Sequence, residues 1–134
     1  MRARLTILLS GILIALLAAG ALAAELAVQR SSAGGVTVAV TPQSFAAGAK
    51  SWDFKIALDT HSADLSDDLV KSAVLLDGTG GTHAPVAWDG AGPGGHHREG
   101  VLRFKPLAPR PQAIELRISR PGEAKPRVFS WRLD

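Results

Sequence analysis

Trp52-Asp53-Phe54-Lys55-Ile56-Ala57-Leu58-Asp59 alternates large apolar side chains with charged or small ones. Successive side chains of an extended chain point to opposite faces, so this stretch writes one buried and one solvated face, and only a strand does that. The same period recurs on either side. Val36, Val38 and Val40 share a face within Gly35–Thr41, and Pro42, which has no N–H to give a ladder, ends it. Ile114, Leu116 and Ile118 alternate with Glu115, Arg117 and Ser119, and Pro121-Gly122 turns the chain into Val128, Phe129, Trp131 and Leu133.

Between these lie Ser72–Leu76 and Thr82–Trp88, joined by Asp77-Gly78-Thr79-Gly80-Gly81, a hairpin connection of residues that tolerate positive φ. Val101, Leu102 and Phe104 make a further strand, and Leu26–Gln29 is a candidate eighth. No amphipathic helix interrupts the series. Seven or so short strands with regular turn signals predict an all-β fold, an antiparallel β-sandwich. This pattern resembles immunoglobulin-like domains, without the inter-sheet disulfide of antibody domains, since the chain has no Cys. The strings Leu58-Asp59-Thr60-His61-Ser62 and Gly94-Gly95-His96-His97-Arg98 resemble those of small, uncharacterised exported bacterial domains, a likeness that implies location but no activity.

Ahead of the strands, Arg2 and Arg4 lead into an apolar run from Leu5 to Leu17 and then a small-residue stretch ending Ala21-Leu22-Ala23. A cationic start, an apolar core of about 7–15 residues and an A-x-A-like end are the three parts of a secretory signal peptide, so residues 1–23 read as a signal and the processed chain begins near Ala24. An uncleaved anchor is the alternative, because Leu5–Ala24 is 20 residues long and about 20 suffice to cross a bilayer. Membrane contact is expected only in that case. Residues 24–34 read as a short linker or first edge strand, and residues 35–134 as one β-sandwich domain working in the periplasm or outside the cell.

The charge balance narrows the partners. The chain has 15 basic and 12 acidic residues; without Arg2 and Arg4 the basic count is 13, so the processed chain is nearly neutral and lacks the basic footprint of a nucleic-acid binder. Acids gather in residues 51–90, bases in 98–134. Complementary outer faces of neighbouring strands account for that division.

Antiparallel order brings the end of the 52–59 strand, the end of 82–88 and the start of 101–104 to one pole. There it gathers His61, the acids Asp64, Asp67, Asp68, Asp89 and Glu99, and His96 and His97, while His83 falls at the opposite pole. Imidazoles with carboxylates suit zinc or copper, and the candidate ligands are His61 and His97 with one of Asp59, His96 or Glu99. His96 and His97, adjacent on an extended segment, point apart unless Gly92–Gly95 bend the backbone. The structural alternative has these residues building the pole itself, with Arg98 paired to the acids at 64–68 and Asp64, Asp67 and Asp68 in a solvated turn or a single helical turn after the strand. Trp52 and Trp131 fall in core phase; Trp88, beside Asp89, would wall the pole.

Catalysis finds little support. Asp59, His61 and Ser62 are chain neighbours, whereas a nucleophile, its base and its orienter usually meet through the fold, and no G-x-S-x-G elbow is present. The sequence therefore reads as a non-catalytic, exported, immunoglobulin-like binding or accessory domain that holds an envelope protein or ligand at a pole containing Trp88, Asp89 and Arg98. The alternative is a periplasmic zinc- or copper-binding protein using His61 with His96 or His97.

Overall fold

The computed structural model describes residues 26–133. The signal or anchor segment, residues 1–23, lies outside them. Nine strands and one helical turn follow in order: β1 (Gln29–Ala33), β2 (Val36–Pro42), β3 (Trp52–Thr60), α1 (Leu69–Ser72), β4 (Ala73–Leu76), β5 (Thr82–His83), β6 (Ala87–Gly90), β7 (His97–Phe104), β8 (Ala113–Ile118) and β9 (Arg127–Arg132). They form two antiparallel sheets, β1-β2-β3-β7-β6 and β5-β4-β8-β9.

The alternation in β3 is realised as read: Trp52, Phe54, Ile56 and Leu58 are buried, and Asp53, Lys55, Ala57 and Asp59 face outward. The sheets pack face to face over one core, with Val36, Val38 and Val40 of β2, Leu102 and Phe104 of β7, Leu75 of β4, Ile114, Leu116 and Ile118 of β8, and Phe129 and Trp131 of β9. Phe54 bridges the layers, its ring 5.5 Å from Trp131 and 5.7 Å, edge-on, from Phe104. Such aromatic contacts add to the burial that drives a small domain together.

Three segments depart from the reading of about seven strands. The expected strand over 82–88 is split: Thr82–His83 pair with β4, whereas Ala87–Gly90 pair with β7 in the other sheet. Pro85 stands at the crossing, where the chain changes layers and needs no ladder donor. β7 begins at His97 instead of Val101, because its first residues carry polar groups on both faces and so hide the period. The first strand spans Gln29–Ala33, not Leu26–Gln29, and has no apolar rhythm; pairing with β2 across the Gly34-Gly35 turn defines it.

β6 and β7 meet at Gly90 and Gly100, which sit opposite one another. A Cβ on Gly100 would come within 2.7 Å of the Gly90 Cα and of the Trp88 ring, so only glycine lets the indole lie across the strand pair. Among the described residues no helix is long and apolar enough to cross a membrane.

Ile56→Ala should lower unfolding free energy by about 2–5 kcal/mol, the cost of a cavity in a packed core, and Val128→Ala, on an exposed site, by well under about 1 kcal/mol. Chemical denaturation of both variants checks this. Equal losses would contradict the assignment of faces.

Candidate functional site

The pole where β3 ends and β7 begins is built on arginines. Arg98, Arg120 and Arg127 are 3 %, 7 % and 5 % exposed, and Asp67 is 2 % exposed. Arg120 grips Asp67 with two parallel bonds, Nε to Oδ2 at 2.9 Å and Nη2 to Oδ1 at 3.0 Å, and also donates to the Asp64 carbonyl at 3.0 Å. Burial disfavours the Arg120 charge, but Asp67 and Glu123 more than offset that, and the guanidinium is held more firmly protonated than usual. Glu123 in turn takes two bonds of 2.8 Å from Arg127, whose charge beside it holds the carboxyl below the usual carboxylate range. Arg127 donates onward to the carbonyls of Ser31, Ala33 and Val36, clamping the β1–β2 hairpin to the other sheet.

Arg98 works differently. The reading that it pairs with the acids at 64–68 is corrected: its guanidinium donates to the backbone carbonyls of Leu65 (3.3 Å), Asp67 (2.6 Å) and Ala91 (2.9 Å), and lies 5.5 Å over the Trp88 ring. Asp67, expected in a solvated turn, is consumed by Arg120. Asp68 does sit at a helical turn, as the N-cap of α1. Arg98 and Trp88 thus support the pole from beneath, and Asp89 is exposed at its side with Arg103 at 3.4 Å.

On this base the histidines separate. Gly94 and Gly95 take φ of +111° and +75°, which swings His96 off the strand while His97 stays in it. His97 lies opposite Asp59 on the outer face. Its Nδ1 donates to Asp59 Oδ1 at 2.5 Å and its Nε2 to Glu99 Oε2 at 3.1 Å, and Glu99 Oε1 takes Lys55 Nζ at 2.8 Å. Charges therefore alternate along Asp59, His97, Glu99 and Lys55. A carboxylate at each ring nitrogen favours the doubly protonated form of His97 over the neutral one. The bond to Asp59 is the main cause that raises its pKa above the ordinary 6.5, and Lys55 first, then His97, holds Glu99 below 4.5.

His61 and His96 line a separate recess of about 290 Å³ with Gly35, Thr37, Asp59 and Thr60. The two loops are joined there: Thr60 N–H donates to the His96 carbonyl at 2.9 Å, and His96 Nδ1 donates to the Thr60 carbonyl at 3.3 Å. Thr60 Oγ1 donates to the Gly35 carbonyl and accepts from the Ser62 and Ala63 N–H groups, which fixes the turn carrying His61. Asp59 belongs to both groups. His97 takes Oδ1 of Asp59. Among the described residues no three His, Asp or Glu side chains already stand in an arrangement that could hold a metal ion.

His83 lies at the other end of the sandwich, bonded to Asp77 at 3.0 Å. This bond is the main cause, ahead of those from Thr79 and Gly81, that keeps Asp77 far below the usual carboxylate range. A larger recess of about 340 Å³ opens beside that hairpin. Its one titratable group, Glu115, is already paired with Arg117 at 2.6 Å, so the polar pole carries the richer chemistry. The chain matches no protein-family model, no curated protein and no solved structure.

The ladder around His97 has a definite pH signature. A raised His97 pKa contributes stability below about pH 6.5 that is lost as pH rises through the folded value, and a lowered Glu99 pKa contributes stability above about pH 4.5 that is lost as pH falls through its own folded value. The His97 ring proton, followed by NMR, should titrate above 6.5, and Asp59→Asn should move that midpoint down. A wild-type midpoint at or below 6.5 would contradict the bridge.

Proposed function

We propose that the chain is an exported, non-catalytic, immunoglobulin-like binding or accessory domain of the cell envelope, and that the polar pole is its binding surface. Strand order supports the immunoglobulin-like part: β2-β3-β7-β6 follows the A-B-E-D order and β4-β8-β9 the C-F-G order of constant-type domains. Export rests on the three-part N-terminal pattern. Loops presented by a rigid scaffold are where such domains carry their chemistry.

The observation that carries the binding surface is the contrast within the pole. Arg98, Arg120, Arg127 and Asp67 are buried and engaged by one another, by Glu123 or by backbone carbonyls, whereas Asp59, His61, His96 and His97 stand exposed at the same pole. Asp59 and His97 are already held by their mutual bond, so these two lose little freedom on binding, and such preorganisation favours affinity.

A photo-crosslinking residue at Gly92, which faces open space at the pole, should trap a specific partner in the envelope; the same residue at Lys105, at the far end, should not. With that partner purified, Asp59→Ala should weaken binding by about tenfold or more, or roughly 1.4 kcal/mol. Equal trapping from both ends, or unchanged affinity, would contradict the assignment.

A further inference from the structure

The outward face of the β5-β4-β8-β9 sheet carries two unlike rows. Cross-strand pairing sets Leu76, Glu115 and Ser130 side by side in one row and Val74, Arg117 and Val128 in the next. The alternate residues of these strands, Leu75, Ile114, Leu116 and Phe129, are buried in the core, so the two rows face away from it. The first row is hollow: all three of its residues line the recess of about 340 Å³ that Gly78 and Gly80 border. The second row ends in a knob, Val128, which is 49 % exposed. A single exposed valine means little by itself, but here apolar side chains on β4 and β9 flank an ion pair on β8, Glu115 with Arg117 at 2.6 Å.

We propose that this face docks a second copy of the chain, the two sheets meeting face to face with their β8 strands antiparallel. A twofold axis in the plane of contact, crossing β8 at Leu116 at right angles to the strand, exchanges the two rows. It sets Arg117 of one copy against Glu115 of the other, Val74 against Leu76, and Val128 against Ser130, where the recess receives it. Each contact occurs twice, as in any twofold interface, and the ion pairs of the two chains join into a square of charges that alternate in sign. An axis along the strand would instead place Glu115 on Glu115 and Arg117 on Arg117, and like charges repel. With strands about 4.8 Å apart and about 3.4 Å per residue, β4, β8 and β9 present a face of roughly 300 Å². A stable interface covers roughly 800 Å² per partner, so the dimer is weak and reversible and dilute protein is monomeric. This surface is separate from the polar pole, and neither depends on the other.

The test is sedimentation equilibrium of the purified, tag-free protein, from dilute solution up to about millimolar concentration, where weak dimers form. Wild type should pass from monomer to dimer and go no further, since a twofold contact closes on itself. Arg117→Glu and Glu115→Arg should each raise the dimer dissociation constant by more than about tenfold, because like charges then meet across the axis. An equimolar mixture of these two variants should form a heterodimer of wild-type strength, every Glu again facing an Arg. The Glu115–Arg117 pair is partly exposed, so its loss costs the fold little, and the circular dichroism of both variants should match the wild type. Val128→Ala should weaken association as well. A wild type that stays monomeric throughout, association that survives both charge reversals, or a mixture that stays monomeric would each overturn the proposal.

Discussion

The pole depends on the ion pair between Asp67 and Arg120. Both side chains are buried, and removing two charges from water is expensive unless geometry and additional bonds repay it. Here they do. The pairing is two-pronged, the Asp64 carbonyl takes a further donor, and Glu123 continues the alternation to Arg127. Through these bonds four separate pieces of chain are tied at one end of the sandwich: the loop before α1, the end of β8, the start of β9 and the β1–β2 hairpin. Leu65, Ile118 and Val36 from three of these pieces also enter the apolar core, so the polar bonds lock ends that the core already draws together.

That arrangement also settles which groups remain for chemistry. A lone buried charge would have to shift its pKa or draw a partner inward; because Asp67 and Glu123 pair with Arg120 and Arg127, and backbone carbonyls take the Arg98 donors, no side chain of the exposed layer is drawn in. Asp59, His97, Glu99 and Lys55 can then form a ladder of their own on the outer face, and His61 and His96 are left to line the recess. Surface pairs of this kind add little to stability, so the ladder sets orientation more than it holds the fold together. Arg127 contributes a second effect. By donating to the Ser31 and Ala33 carbonyls it holds β1 to the other sheet.

Much of this was legible in the sequence where a period was present. β2, β3, β8 and β9 alternate cleanly, and the two sheets with their shared core follow from that. The convergence of His61 with His96, and of Asp59 with His97, follows from antiparallel order, and the divergence of His96 from His97 from their adjacency. What could not be read is pairing among polar groups. Gln29–Ala33 has no apolar rhythm, and its place comes from contacts with β2 and Arg127. The split at Pro85 and the early start of β7 depend on which sheet each residue meets. Hydropathy puts arginine on the surface, so the burial of Arg98, Arg120 and Arg127 left one trace only, two arginines flanking the turn at Pro121-Gly122. A buried arginine is recognised by the carbonyls and carboxylates around it, and these are assembled by the fold.

The most direct test of this account is a double-mutant cycle of Arg120→Ala and Asp67→Ala measured by equilibrium unfolding. Removing one partner of a buried pair leaves the other charge uncompensated, so Arg120→Ala should cost about 3–5 kcal/mol. The double variant should cost clearly less than the sum of the two single changes, because the second removal relieves the stranded charge. Additive losses of less than about 1 kcal/mol each, the range of an exposed pair, would mean that the pole does not depend on this contact and that the account built on it is wrong.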